Sequence, residues 1–192
     1  MHTIEPFYMW ENLYNAAEDK QSLFYGKEYS EFEFTNTVYN YFIHPQWDGF
    51  GSATLYLKIL YADYDQEFAI IEFIGEWNDC LYNDIMFLKE EVIDLLLKAN
   101  IKKFILIGDN VFNFHYSDNC YYEEWFDEIE DGWILGIAFR QHVIDEFKKC
   151  MIHHYIRFLD PEDEMNWKKH TPDILFAIAD EMFQQRLMQS NK

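Results

Sequence analysis

The sequence predicts a mixed α/β fold: an N-terminal antiparallel β-meander, then βαβαβ units whose helices pack on a mixed sheet, then a C-terminal helix. Three observations point there. The apolar period changes near Gly75, from two residues to steps of three and four. Two short apolar runs without alternation, 103–107 and 132–139, are separated by helix-like patterns, as strands covered on both faces would be. A hydrophobic fraction of 49%, with 20% aromatic residues, supplies a core for 192 residues, which fit one domain. The expected organisation is a short helix or an aromatic arm over 1–25, the meander over 26–74, βα repeats over 75–159, and a loop with the closing helix over 160–192.

In the meander, residues 31–34 alternate polar and apolar, and 38–43 extend the pattern with aromatic and β-branched residues. Pro45, Gly49 and Gly51 interrupt it. Leu55, Leu57, Ile59 and Tyr61 then share one strand face, and a polar turn at 63–66 leads into the apolar run 68–74. In the N-terminal 25 residues, Phe7, Trp10 and Tyr14 suit a short helix or an arm on a neighbouring subunit.

Beyond Gly75, residues Leu81, Ile85, Leu88, Val92 and Ala99 mark one helix over 78–100. Asn78 or Asp79 would cap its start and Asn100 its end, with Asp94 and Lys98 as an exposed i,i+4 pair. After the strand at 103–107, Asp118 opens a helix carrying Tyr121, Tyr122, Trp125, Phe126 and Ile129. Val143, Ile144 and Phe147 mark a shorter helix before a strand around 154–158. Thr171, Pro172 and Asp173 start the last helix as cap, first-turn proline and dipole-matched acid. Its expected buried side is Ile174, Leu175, Ile178 and Met182.

Charge narrows the functions. With 35 acidic and 15 basic side chains the formal charge is −20. Nucleic-acid binding rests on cations that neutralise phosphates, so a nucleic-acid partner is not expected. An anionic membrane surface is disfavoured for the same reason, and no apolar run approaches the roughly 18 residues of a membrane helix. Residues 123–131 hold six carboxylates, and 160–164 hold four. They read as a surface for a basic protein partner, or as solvated faces. Cys80, Cys120 and Cys150 stand singly without C-x-x-C, and the N-terminus lacks a signal peptide; a reducing cytoplasm fits both.

Ligands of open α/β sheets bind beyond the carboxyl ends of parallel strands. Those ends are expected at 75–79, at Gly108-Asp109-Asn110 and at 140–142. If they converge, Glu76, Asp79, Asp109, Arg140 and His142 share a rim able to ligate a hard cation or supply a general acid and base. The structural alternative is that Asp79 caps a helix, Asp109-Asn110 forms a turn, and Arg140 pairs with an acid.

Zinc spacings, H-E-x-x-H, G-x-G-x-x-G, the P-loop pattern and G-x-S-x-G are all missing, so no cofactor is expected. His153-His154, if on a strand, would point to opposite faces and share no ion. Cys80, near a helix start, is the least poor thiol nucleophile, with burial the expected state. Trp47, Phe50, Trp77 and Trp125 could line a pocket for a planar ligand or simply pack the core.

The stretch 68–76, the following helix and strand 103–107 resemble the opening of STAS domains, the anti-sigma-factor antagonist family. The likeness spans about 68–150. It implies alternating helices and strands and a role in protein–protein contact without catalysis, often switched by phosphorylation of a serine or threonine after an aspartate. That step is missing here: the matching region has Ser117 before Asp118, so phosphoregulation is not carried over. The expected function is a cytoplasmic, non-catalytic interaction or regulatory module, with homo-oligomers as a further option. The alternative is a metal-assisted hydrolase using the strand-end carboxylates.

Overall fold

The structure, a computed structural model, describes residues 4–159 and 166–190, with side chains through residue 184. The acidic run 160–164 lies outside the described residues. A two-stranded antiparallel hairpin, β1 (Thr37–Val38) and β2 (Tyr41–Phe42), stands apart from the main sheet. That sheet contains β3 (Leu55–Asp63), β4 (Phe68–Asn78), β5 (Lys103–His115), β6 (Trp133–Ile137) and β7 (Arg157–Phe158), in that spatial order. The β3/β4 pair is antiparallel and the other pairs are parallel. The mixed α/β class is as expected, but the meander is shorter: 31–34 forms no strand, and Val38 lies in the small hairpin.

Each sheet face buries a core of its own. Ala69, Ile71 and Phe73 of β4 join Phe104 and Leu106 of β5 beneath the intervening helices. Phe68, Ile70, Ile105 and Ile107 face the other way, against Trp10, Trp167 and α6 (Pro172–Ser190). Coverage on both sides is why these strands read as unbroken apolar runs.

The helix expected over 78–100 is divided into α1 (Asp79–Tyr82), α2 (Asp84–Phe87), a π-helical turn (Leu88–Ile93) and α3 (Asp94–Lys98). Asn83, at φ +52°, breaks the first turn, while Asp79 and Asp84 on either side are buried. Asn78 caps the start as expected, its side-chain oxygen accepting from Leu81 N at 3.0 Å. Asp94 ignores Lys98 and pairs with Lys89 at 2.5 Å. The almost fully buried Lys89 ammonium also meets Glu124 and Glu128 of α4 (Cys120–Glu128), at 3.2 and 2.9 Å. Part of the acidic run 123–131 therefore neutralises a buried lysine of the same chain.

Gly108-Asp109-Asn110 is no turn. β5 continues through it to His115, because β4 continues alongside: Ile74, Gly75, Trp77 and Asn78 pair with Asn110, Val111, Phe114 and His115. Register shifts between Glu72 and Ile74 and between Gly75 and Trp77 mark bulges, which admit polar residues without ending a strand. Gly108 lies against the Phe139 ring, where a Cβ would collide, so it serves close packing. Gly75, at φ +119°, sits over the Thr54 carbonyl within β4 rather than after it.

Several smaller expectations are corrected. Residues 7–25 form turns, and Trp10 folds back onto its own sheet, its indole N–H donating to His170 O at 3.1 Å. Phe126 is exposed while Tyr122, Trp125 and Ile129 are buried. His153 and His154 lie on a 3-10 turn (Ile152–His154), not a strand, with ring centroids 4.3 Å apart. α6 buries Leu175, Phe176 and Ala179 and exposes Ile174. Cys80 is exposed. Trp47, Phe50, Trp77 and Trp125 are core residues, and α5 (Gln141–Lys149) buries Val143, Ile144 and Phe147 as expected. Among the described residues, no helix is long and apolar enough to cross a membrane.

Candidate functional site

The five rim candidates enter separate networks. Glu76, near the end of β4, accepts from Tyr39 OH and from Asn113 Nδ2 at 3.1 Å, with His115 Nε2 3.7 Å away. Asp79 is fully buried and accepts from Tyr122 OH at 2.7 Å and Ile85 N at 2.9 Å. Burial pushes its carboxyl up to about 7 against the pull of those hydrogen bonds. Neighbouring Asp84 is likewise raised by burial while accepting from Ser52 Oγ, Thr54 Oγ1 and Asn78 N. These two acids fasten the loop 51–54 and the end of β4 to the helical layer. Each oxygen of both carboxyls accepts at least one hydrogen bond from the fold.

Asp109 accepts from Trp167 Nε1 at 3.2 Å and Lys168 Nζ at 2.7 Å, on the sheet face that α6 covers. Among the described residues, Arg140 and His142, at the start of α5, meet the same residue, Phe112, rather than an acid. The Arg140 guanidinium lies 5.1 Å from the Phe112 ring centroid, and His142 Nε2 lies 2.7 Å from Phe112 O. Among the described residues no three His, Cys, Asp or Glu side chains are grouped to hold a metal ion.

The polar groups that stand out lie elsewhere, on charges inside apolar strands. Glu72 of β4 is 2% exposed and accepts from Phe7 N at 2.8 Å. Burial pushes its carboxyl up to about 7; the Phe7 N–H and the Lys168 charge pull the other way, and Asp109 adds to the rise. Directly across the antiparallel pair stands Lys58 of β3, whose side chain is 16% exposed. Cross-strand partners share a sheet face, yet Lys58 turns away from Glu72. Its ammonium lies 3.6 Å from the Tyr29 ring centroid and 3.3 Å from Asp48 Oδ2.

Asp48 is fully buried, held in place by a backbone bridge to Leu57, and collects the surrounding donors. Lys27 Nζ reaches Oδ1 at 2.5 Å, and Tyr29 OH donates at 2.8 Å. Two ammonium groups thus share one buried carboxylate. Burial lowers the Lys58 pKa and the Lys27 charge lowers it further, while Asp48 and Glu11 oppose the change. Tyr29 is raised by burial and by Asp48.

Of these groups, Tyr29 and Lys58 border a cavity of about 510 Å³ between β3 and a roof made by segments 5–16 and 29–46. Glu5, Glu11, Tyr14, Tyr29, Phe32 and Lys58 are among its lining residues. Its volume is that of a small-ligand or peptide-side-chain site. None of this lies beyond the strand carboxyl ends. A signal was nonetheless present in the sequence, because a charge within a strand buried on both faces requires a partner: Lys58 and Glu72 are such charges. No protein-family model matches this chain, and no curated protein sequence matches it.

Proposed function

We infer that the protein is a non-catalytic interaction module whose N-terminal roof docks a basic, apolar-flanked segment of a partner protein. One observation carries the reading. Among the described residues, nine of the fourteen exposed large apolar side chains fall between Tyr8 and Phe42. Phe32, 85% exposed, and Tyr8 also line the cavity. Exposed apolar side chains concentrated in one segment are typical of a surface that another molecule covers.

Charge selects the occupant. Residues 5–33 carry Glu5, Glu11, Glu18, Asp19, Glu28, Glu31 and Glu33 against Lys20 and Lys27. Aromatic rings interleaved with carboxylates favour lysine or arginine side chains through ion pairing and cation–π contact. A second copy of this chain, itself at −20, is a poor occupant. Three cysteines without disulfides, two of them exposed, suit the reducing cytoplasm that this reading assumes.

Fluorescence anisotropy with labelled twelve-residue peptides tests it. Peptides alternating Arg or Lys with Leu or Phe should bind, with affinity falling as salt rises, while Glu-substituted versions should not. Phe32→Ala and Tyr8→Ala should each weaken binding about tenfold, the loss expected of an aromatic anchor. Equal binding of basic and acidic peptides, or affinity indifferent to both substitutions, would overturn the reading.

A further inference from the structure

We propose that Lys58 is a carbonyl-capturing amine, and that the cavity it lines can hold a small aldehyde or ketone as an imine. The inference rests on the cavity being open, as does the docking reading, but requires different chemistry of it. A lysine becomes a nucleophile at neutral pH when it is desolvated or placed beside another cation. Lys58 has both conditions: its side chain is largely buried, and Lys27 competes with it for Asp48. The other charged or titratable groups around it are Tyr29, whose ring lies under the ammonium, Glu11, Glu5, Glu31, Tyr14 and His44, which line the same cavity, and Glu72 across the strand pair.

Asp48 is placed for the proton transfers. With its Oδ2 3.3 Å from Lys58 Nζ, it can accept a proton from the ammonium and free the nitrogen lone pair. The amine adds to the carbonyl carbon, and one of its own N–H protons passes to the carbonyl oxygen as the carbinolamine forms. Loss of the hydroxyl as water, with the proton returned from Asp48, leaves the protonated C=N bond. Nothing is oxidised or reduced, and ammonium plus carbonyl give protonated imine plus water. Tyr29 OH, bonded to both Asp48 oxygens, and Lys27 keep the carboxylate oriented while its proton comes and goes. Exposed Lys149, by contrast, pairs with Glu146 at the surface, and its pKa is raised.

The test is reductive alkylation of the full-length protein with butanal and cyanoborohydride at pH 7, read by peptide mass mapping over time. Lys58 should be alkylated several-fold faster than Lys148 or Lys149, with saturation in butanal, and the lead should shrink at pH 10, where a far larger fraction of ordinary lysine amines is free. Lys27→Met should slow the Lys58 reaction at pH 7 and slow it less at pH 10. Prior occupation by a basic peptide should protect Lys58. Alkylation of Lys58 no faster than that of the exposed lysines, a linear dependence on butanal, or indifference to Lys27→Met would overturn the proposal. Peptide binding with no selective alkylation would overturn it while leaving the docking reading standing.

Discussion

Replacing Glu72 with glutamine should stabilise the protein, increasingly so as pH rises. The carboxyl lies under Phe7 on the sheet face, and burial holds its pKa near 7, against an ordinary 4.5. The sign follows from the raised folded-state value. Below pH 4.5 the group is protonated in both states and its burial carries no ionisation penalty. Between 4.5 and 7 the unfolded chain ionises first, and stability falls; above 7 the loss is complete. At 1.36 kcal/mol per pH unit, the full difference comes to about 3 kcal/mol. Because the chain's pI is about 4.5, solubility favours measurement from pH 5.5 to 8.5. Over that window the linkage relation leaves about 2 kcal/mol of pH-dependent change. Glutamine keeps an oxygen to accept from Phe7 N but adds an amide N–H₂ needing a partner, which lowers the gain by about 1 kcal/mol at every pH. Urea unfolding of both proteins across the window gives the difference directly. It should grow in favour of the glutamine variant by about 2 kcal/mol from pH 5.5 to 8.5, with m unchanged. A difference flat in pH would refute the claim that burial raises the Glu72 carboxyl.

Other substitutions probe the remaining features. Asp48→Ala leaves the Lys27 and Lys58 ammonium groups without their carboxylate and should cost about 3–5 kcal/mol in urea unfolding, with loss of the cavity. Gly108→Ala, benign in a turn, should cost about 1–3 kcal/mol because the methyl meets the Phe139 ring. Leu175→Ala should cost about 2–5 kcal/mol, while Ile174→Ala, on the exposed side of α6, stays within about 0.5 kcal/mol. Thermal melts at one pH suffice to compare the latter pair.

Element type was legible where periodicity was long: β4, β5, β6, α4, α5 and α6 all lie where the apolar pattern placed them. Boundaries failed where local polarity was taken as punctuation. Gly108-Asp109-Asn110 has the composition of a turn, yet a bulged strand also accommodates a glycine against an aromatic ring and an aspartate facing Lys168. The same error moved the strand ends, and with them the expected site. Extending β4 to Asn78 and β5 to His115 puts Glu76 under the hairpin, Asp79 under Tyr122 and Asp109 under Trp167. A residue's tertiary neighbour decides whether a polar stretch ends an element, and a single sequence does not specify that neighbour.

The residues with the stronger claim were legible by another rule. A turn-like polar triplet has solvent as an alternative partner, so its presence says little about what surrounds it. A charge inside a doubly covered strand has no such alternative, since burying it alone costs several kcal/mol. Glu72, within an otherwise apolar run, therefore implied a donor above the sheet, and Lys58 implied an acid beside it. The fold supplies Phe7 N and Asp48 for those roles, drawn from the N-terminal roof and the loop before β3. On the imine proposal, Lys58 is reactive only while the roof that Phe7 and Asp48 help to hold keeps water from it. Loosening the roof should then slow butanal labelling of Lys58 even with Lys27 and Asp48 intact. Trp10→Ala removes a buried roof anchor while leaving Lys27 and Asp48 in place, and labelling reduced at pH 7 but less so at pH 10 would assign the reactivity to desolvation.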